Sequence, residues 1–247
     1  MLNYPVLFSL LLLVVLWLSA RIGTFLGERR PLIDDEREDF GVVQTATLTL
    51  LGLIIGFSFS MAVGRYDLRK NYEEAEANAI GTEYFRAGLL PAADTAAVRT
   101  LLGKYLERRI LFYRSRSASS QISQETARLQ AEMWAAVQVP AVARPSPLIA
   151  LVVSGMNDVL NSQGYTQAAW WNRIPVAAWT LMILIAACSN LLVGYGVHGD
   201  RTRRPLLFIL PLVVSISFLL IADIDSPRGG LIKITPQNLE SLSGTLP

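Results

Sequence analysis

The sequence predicts an all-α integral membrane protein with four transmembrane helices and a helical extramembrane domain inserted between the second and third spans. Three observations support this fold class. Hydrophobic residues make up 52% of the chain and charged residues only 17%, which is more apolar than an ordinary soluble domain. Four apolar runs approach the roughly 20 residues that a bilayer requires. The long polar region between the second and third runs has helical periodicity.

The four apolar runs divide the chain into parts. They cover residues 5–26, 41–63, 174–195 and 205–222. The first run lacks a basic leading segment, and its apolar stretch is longer than that of a usual signal peptide, so we interpret it as a span. The predicted parts are therefore a first pair of spans in residues 1–63, the helical domain in 64–173, a second pair of spans in 174–222 and a polar tail in 223–247.

Three helices are predicted within the polar domain. An amphipathic stripe from Thr95 to Tyr113 indicates the first, with Arg109 on its apolar side. A second helix is predicted from an N-cap at Ser123 to an end near Pro140. A third is predicted from an N-cap at Ser146, with Pro147 at the first helical position, to a C-terminal glycine at Gly164.

The second span is predicted to continue into the polar domain as one helix. Neither a proline nor a turn cluster interrupts the chain between Gly41 and Leu90. At a rise of about 1.5 Å per residue such a helix would be about 75 Å long. Pro91 is a suitable stop, because proline lacks the N–H that a helix interior needs.

Small and weakly polar residues recur at helical spacing along the second span and form one face. We call this the small face; its residues are Thr45, Thr49, Gly52, Gly56, Ser60 and Gly64, and the first five are the candidate pore-lining residues. One hypothesis is close packing against another helix. The other is that an oligomer turns these faces toward a central axis as a pore lining, with Phe57 or Phe59 on the flanks as an apolar gate. The two hypotheses do not exclude each other.

Two segments resemble a known family. "GFSFSMAVGRYDLRKNYEEAEANAIGT" and "ADIDSPRGG" are similar to the signature of the bestrophin-like family of bacterial and plant membrane proteins. The resemblance implies kinship with bestrophins, which are pentameric anion channels whose second transmembrane helix lines the pore and continues into a cytosolic helical domain. The tryptophan pair of bestrophins is replaced here by "YDLRKNYEE", and an acidic calcium-binding cluster is not evident.

The motif after the fourth span carries concentrated charge. Asp223 and Asp225 come directly after the apolar run, and Arg228 can reach back toward a carboxylate. One hypothesis is a membrane exit turn locked by an aspartate–arginine pair. The alternative is a ring of charge at a pore mouth, and pairing with Arg65 and Arg69 would form a gate latch.

Enzyme chemistry is not predicted. The one histidine, His198, lies in an arginine-rich loop without a nucleophile pattern around it, and neither nucleotide-binding nor metalloprotease motifs occur. Cys188 is the single cysteine, which excludes a disulfide framework within one chain. We therefore expect neither a cofactor nor a metal, and the net charge of +2 gives no indication of nucleic-acid binding.

Two further sets of polar residues each have a structural and a functional interpretation. The acidic run after the second span is typical of a solvated helix face, with a cation or proton site as the alternative; its members are Glu73, Glu74, Glu76 and Glu83. Asn190, near the end of the third span, is predicted to form an interhelical hydrogen bond rather than to bind an ion.

The arginine distribution predicts an orientation. The short loops "GERRPLIDDEREDF" and "HGDRTRR" each carry three arginines, which places them in the cytoplasm and the helical domain outside. The bestrophin resemblance implies the reverse. We expect a multi-pass protein of the plasma membrane, specifically the bacterial inner membrane.

The sequence-based functional hypothesis is an oligomeric, channel-like protein. It would pass small ions, anions by the resemblance, along an axis lined by the second span. Its expected partners are the lipid bilayer, small ions and further copies of itself, five in a bestrophin-type assembly. The alternative hypothesis is a non-conducting oligomeric scaffold or sensor that signals through its helical domain.

Overall fold

The computed structural model describes residues 4–115, 120–197 and 207–246. These residues form α-helices and short connections, without a strand, which confirms the all-α fold class. The helices are α1 (Pro5–Arg29), α2 (Asp34–Arg86), α3 (Ala92–Arg114), α4 (Ser120–Ala143), α5 (Pro147–Trp171), α6 (Val176–Gly196), α7 (Ile209–Asp225) and α8 (Gln237–Thr245). A 3₁₀ turn, Ala87–Leu89, follows α2.

The chain forms two compact units. We call the first the membrane unit; it contains Met1–Gly64 and Arg173–Ile232. The second, the helical unit, contains Arg65–Asn172 and Lys233–Pro247. The residues of the expected polar tail are thus divided between the units, and α8 belongs to the helical unit.

Three stretches of the described residues are long and apolar enough to cross a membrane. They lie within Pro5–Arg29, Asp35–Leu89 and Pro147–Gly196. The fourth expected span, residues 205–222, begins outside the described residues, and α7 itself has 17 residues. A count of four spans therefore remains a prediction.

Glycines bring α1 and α6 into close contact in the membrane unit. A Cβ atom on Gly23 would lie 2.0 Å from the carbonyl oxygen of Leu191, and one on Gly194 would lie 2.0 Å from that of Ala20. Real Cβ atoms do not approach backbone so closely, so both positions require glycine. The pair is a membrane-type helix contact in which small residues let two backbones meet.

The long second helix is confirmed. α2 runs through 53 residues without a break and begins seven residues before the predicted start at Gly41. It ends in the 3₁₀ turn before Pro91, as predicted. The hydroxyl of Thr95 donates to the carbonyl oxygens of Ala87 and Leu90 at 2.9 and 3.0 Å, so α3 supplies a cap for the end of α2.

Other predicted helix boundaries have mixed outcomes. Ser146 caps α5 as predicted, since its hydroxyl oxygen accepts from the N–H of Ile149 at 3.2 Å. Ser123 is not an N-cap, because α4 has already begun at Ser120. The predicted end at Gly164 is wrong, because α5 continues to Trp171.

The helical unit has its own hydrophobic core. The distal part of α2 contributes Ile80 and Tyr84, α3 contributes Leu102, and α5 contributes Met156. α8 closes the unit at Leu239, which is fully buried. Burial of such side chains contributes about 1.5–3 kcal/mol each, which is the main stabilising term for helices of this length.

Candidate functional site

The small face of α2 is exposed along its whole length. Thr45, Thr49, Gly52, Gly56 and Ser60 are all exposed in the chain. A Cβ atom added to Gly52, Gly56 or Gly64 would meet no described atom within 4 Å. In the described part of the chain, the glycines of this face therefore do not serve a helix contact, unlike Gly23 and Gly194.

The opposite side of α2 carries the intrachain contacts. Leu51, Ser58 and Ala62 are buried, and the hydroxyl of Ser58 lies 3.0 Å from the sulfur of Met182 in α6. On the small face, the hydroxyl of Thr49 donates to the carbonyl oxygen of Thr45 at 2.8 Å. A threonine satisfied by its own helix presents mainly its methyl group and a weak acceptor to the surroundings.

The two gate candidates both lie on the exposed surface. Phe57 is 63% exposed and Phe59 is 39% exposed. At 100° per residue they flank the small face on opposite sides, with Phe59 nearer to it. Apolar rings beside an exposed small face are the chemistry that a hydrophobic constriction requires.

The two aspartates after the fourth apolar run are buried rather than open to solvent. They lie in the last turn of α7, and each is 4% exposed. The carboxylate of Asp223 accepts from the N–H groups of Leu231 and Ile232, both at 2.7 Å. A Cβ atom on Gly230 would lie 2.7 Å from the carbonyl oxygen of Asp223. The backbone at position 230 can therefore lie this close to Asp223 only because the residue is glycine.

Asp225 fastens a different segment. Its carboxylate oxygens accept from the N–H of Ile174 at 3.1 and 3.2 Å, just before α6 begins. Arg228, the predicted partner, is partly buried in the following turn. Both carboxylates therefore bind backbone N–H groups. The turn locked by an aspartate–arginine pair and the ring of charge at a pore mouth both stay predictions.

The two latch candidates on α2 differ in environment. Arg69 is 1% exposed, and its guanidinium donates to the carbonyl oxygens of Ala169 and Asn172 at 3.1 and 3.0 Å. These carbonyls end α5, where a cation is favourable. Arg65 is partly buried. A latch between these arginines and the aspartates stays a prediction.

The acidic run does not form a solvated helix face, so the interpretation that the sequence favoured is wrong. Glu73, Glu76 and Glu83 are 3%, 0% and 0% exposed, and only Glu74 among the four is exposed. The buried three follow the inner side of α2. The charge spacing was visible in the sequence, but the partners that permit burial were not.

Glu76 is the centre of a buried polar network. Its carboxylate forms a bidentate ion pair with the guanidinium of Arg109 on α3. The hydroxyls of Tyr113 and Thr166 also lie near it, each at 3.3 Å. The arginine noticed on the apolar stripe of the sequence therefore has its counter-charge 33 residues earlier, and both are fully buried.

Glu73 caps the C-terminal helix. Its carboxylate accepts from the N–H groups of Asn238 and Leu239, both at 3.0 Å, and from the side-chain amide of Asn238 at 2.7 Å. Unpaired N–H groups at a helix start are the usual partners of such an acid. α2 thereby supplies the N-terminal cap of α8.

Glu83 has a different environment. Both of its carboxyl oxygens are buried, and neither has a hydrogen-bond partner among the described residues. Burial raises the pKa of this carboxyl to about 8, with nearby Arg86 lowering it and Asp158 raising it further. One of these oxygens, Oε2, lies next to Gly155 of α5, and a Cβ atom added to Gly155 would lie 2.0 Å from it.

His198 and Asn190 are the remaining candidates. His198 lies outside the described residues. Asn190 is fully buried, and its amide donates to the carbonyl oxygen of Ala186 in the same helix at 2.8 Å, so this donor does not make the predicted interhelical bond. Within the described ranges, acidic, histidine and cysteine side chains do not gather into a group of three that could hold a metal ion.

Comparison with known proteins decides the family. A family model described as the bestrophin-like domain matches residues 6–239. The chain belongs to the bestrophin-like family. No curated protein sequence matches this bestrophin-like protein significantly.

Solved structures show the same fold. A bacterial bestrophin homologue from Klebsiella pneumoniae is 16% identical with a TM-score of 0.62, and the alignment covers 98% of this chain and 100% of the homologue. A single-site variant of that homologue is 14% identical with a TM-score of 0.65, covering 96% and 97%. This bestrophin-like protein therefore has the bestrophin fold; at these identities the likeness extends to the fold alone.

Proposed function

We propose that this bestrophin-like protein forms a homo-oligomer that passes small ions, preferentially anions, along an axis lined by the small face of α2. The observation that carries the proposal is the exposure of this face. Five small or hydroxyl-bearing residues lie exposed along it, and its glycines meet no described atom where a Cβ would stand. Small residues without an intrachain partner suit either a pore lining or a contact between copies. Family membership favours the pore, and it is the basis for preferring anions.

The gate in this proposal is Phe57 or Phe59. An apolar ring at a narrow point excludes water, and hence ions, until the constriction widens. The glycines at 52 and 56 set the available width there. Phe59 lies nearer to the small face and is the stronger candidate.

The turn after α7 has a structural role in this proposal. Asp223 holds the backbone at Leu231 and Ile232, and Asp225 holds the backbone at Ile174. In this proposal Arg228 pairs with Asp225. A double-mutant cycle tests the pairing: Asp225→Ala and Arg228→Ala together should lower the melting temperature no more than the worse single change. Fully additive losses would contradict the pairing.

The proposed assembly lies in a plasma membrane, the inner membrane of a bacterium, with lipid on the exposed apolar surface of α1. A pentamer is the proposed stoichiometry. The arginine bias of the short loops supports a helical unit outside the cytoplasm. Protease added to sealed, right-side-out vesicles would cleave the helical unit if this orientation holds, and would leave it intact if the unit is cytoplasmic.

Ion flux through reconstituted liposomes tests the proposal. Gly56→Leu should abolish flux while the oligomer stays intact by size-exclusion chromatography, because the new side chain fills the axis. Either Phe57→Ala or Phe59→Ala should raise flux, because the apolar constriction is lost. The matched controls are Gly164→Leu, at an exposed helical glycine with open space around it, and Phe25→Ala, at an exposed ring on α1.

The alternative is a non-conducting scaffold or sensor, in which the small faces only pack against one another. A surface cleft of about 410 Å³ on α3 and α4 favours this candidate, because charges of both signs line it, including Lys104, Glu107 and Arg128. In that case Gly56→Leu would disrupt assembly, and neither phenylalanine variant would create flux. An intact oligomer that shows no flux in wild type or any variant would refute the channel proposal.

A further inference from the structure

A partly enclosed polar cavity lies inside the helical unit. Its volume is about 110 Å³, and α3, α4 and α5 form its walls. The polar side chains that line it include Arg109, Thr126, Gln130, Gln163 and Gln167. We call it the glutamine cavity. Three glutamines around one buried arginine are an unusual lining for a site between amphipathic helices, where apolar side chains normally fill the space.

The hydrogen-bonding capacity of this lining is not used up within the chain. Nε and Nη2 of Arg109 bind Glu76, and among the described residues Nη1 has no hydrogen-bond partner. Gln130 donates to the side-chain oxygen of Gln163 at a long 3.5 Å. The amide of Gln167 has no hydrogen bond to the described part of the chain. Arg109 is 1% exposed and lines the cavity, so its Nη1 can gain a hydrogen bond from a molecule bound there.

The charge of the site favours a neutral ligand. Arg109 is the one charged residue among the described residues of the lining, and the Glu76 carboxylate already neutralises it. An anionic ligand would bring a second negative charge to the guanidinium that Glu76 occupies, and the two would repel. A cation would be repelled by Arg109 itself.

The available hydrogen bonds define the chemistry further. Nη1 of Arg109 requires an acceptor oxygen, whereas a glutamine amide offers both an acceptor oxygen and N–H donors. A carboxamide group matches both, because its oxygen accepts and its NH₂ donates. One water molecule needs about 10–15 Å³ of cavity volume. A cavity of about 110 Å³ therefore accommodates an organic molecule of about five to eight non-hydrogen atoms.

We propose that the glutamine cavity is a binding site for a small, neutral, carboxamide-bearing molecule, held by Nη1 of Arg109 and the amides of Gln163 and Gln167. The site does not depend on ion conduction, so it stands or falls separately from the proposed channel. Its ligand would contact the guanidinium that pairs with Glu76 on α2.

Ligand-observed NMR on the purified full-length oligomer tests the site, with propionamide as the probe and propionate as its charged counterpart. A five-atom probe is limited to weak binding, so a saturable signal with a Kd of about 1–10 mM is expected for propionamide. Propionate should bind at least about tenfold more weakly, because its charge meets Glu76 at the same guanidinium.

The variants replace an amide by an apolar side chain of similar length and leave the ion pair intact. Gln167→Met and Gln163→Met should each weaken propionamide binding about fivefold or more. Gln138→Met, at an exposed glutamine of α4 outside the cavity, should leave it unchanged. The absence of saturable binding, equal binding of propionate, or propionamide affinity unaffected by both cavity variants would overturn the proposal.

Discussion

The two halves of α2 follow the same helical period and use their polar residues in opposite ways. From 41 to 64 the small face is exposed, and a Cβ atom on its glycines would meet no atom of the described residues within 4 Å. Beyond Arg65, three glutamates at similar spacing are buried and two of them bind partners. The comparison teaches that periodicity identifies a face but not its environment. What lies opposite the face decides that environment.

The largest expected effect belongs to the buried half. Glu76→Gln leaves Arg109 charged, buried and without its counter-charge, which typically costs about 3–5 kcal/mol. We expect the melting temperature of the purified protein to fall by about 10 °C or more. Glu74→Gln changes the same residue type at an exposed neighbouring position and should shift the melting temperature by less than about 2 °C. Equal, small shifts for both variants would show that the buried pair contributes little.

A smaller loss is expected at the cap of α8. Glu73→Ala removes the acceptor for the N–H groups of Asn238 and Leu239, and loss of a helix cap costs about 1–2 kcal/mol. Hydrogen exchange should accelerate about tenfold at these two amides, while amides in the middle of α3 keep their rates. Glu74→Ala is the control. Unchanged exchange at both amides would mean that α8 is held by other contacts, such as Leu239.

The third test uses pH, because Glu83 alone among the buried glutamates lacks a hydrogen-bond partner in the described part of the chain. The pKa of its carboxyl is raised from 4.5 to about 8 in the folded state by burial, with Arg86 opposing and Asp158 assisting the shift. The folded state therefore keeps a proton that the unfolded chain releases as pH rises from 4.5 to about 8. The stabilising effect of this proton is complete below pH 4.5 and declines as the pH rises from 4.5 to about 8.

Glu83→Gln mimics the protonated acid at every pH and removes this decline. The melting temperature of the variant minus that of the wild type should grow steadily between pH 5 and pH 8, since only the wild type loses stability there. Scans at several pH values in one detergent measure the difference. A difference that stays constant over this range would refute the raised pKa.

The smallest effect is expected in the exposed half. Gly52→Ala adds a methyl group that meets no described atom, so stability should change by less than about 1 kcal/mol, in the direction of a better helix former. The same substitution at Gly194 places its Cβ against the carbonyl of Ala20 and should disrupt the contact between α1 and α6. Similar losses at both sites would mean that the small face packs as tightly as the α1–α6 contact, in an interface between copies.

The sequence predicted the long helix well because its signals are local. The absence of a break between Gly41 and Leu90 and the stop at Pro91 depend on residues that are neighbours in the chain. Ser146 was equally recognisable as a cap. Gly164 was misread because a glycine is tolerated inside a helix when the flanking turns are well packed, and Trp170 is buried a few residues later.

The burial of the glutamates could not be read from the sequence. The pairing of Glu76 with Arg109 joins two helices whose register depends on the whole core, and an arginine on an apolar stripe does not reveal which acid it meets. The exposure of the small face was equally hidden, because packing and pore lining require the same residue types. Gly23 and Gly194, where a Cβ atom would lie 2.0 Å from a backbone oxygen, mark one close helix contact that the sequence did not distinguish from the small face.

The cap that Glu73 provides for α8 has a consequence for biosynthesis. The helical unit is built from two separate pieces of chain, and the segment between them, Arg173–Ile232, belongs to the membrane unit. Glu73 is synthesised 165 residues before Asn238. Its carboxylate therefore lacks Asn238 as a partner until α6 and α7 have been synthesised. A ribosome-bound chain that stops before residue 233 would therefore expose the surface that Leu239 later covers, and a chaperone or protease would encounter it during that interval.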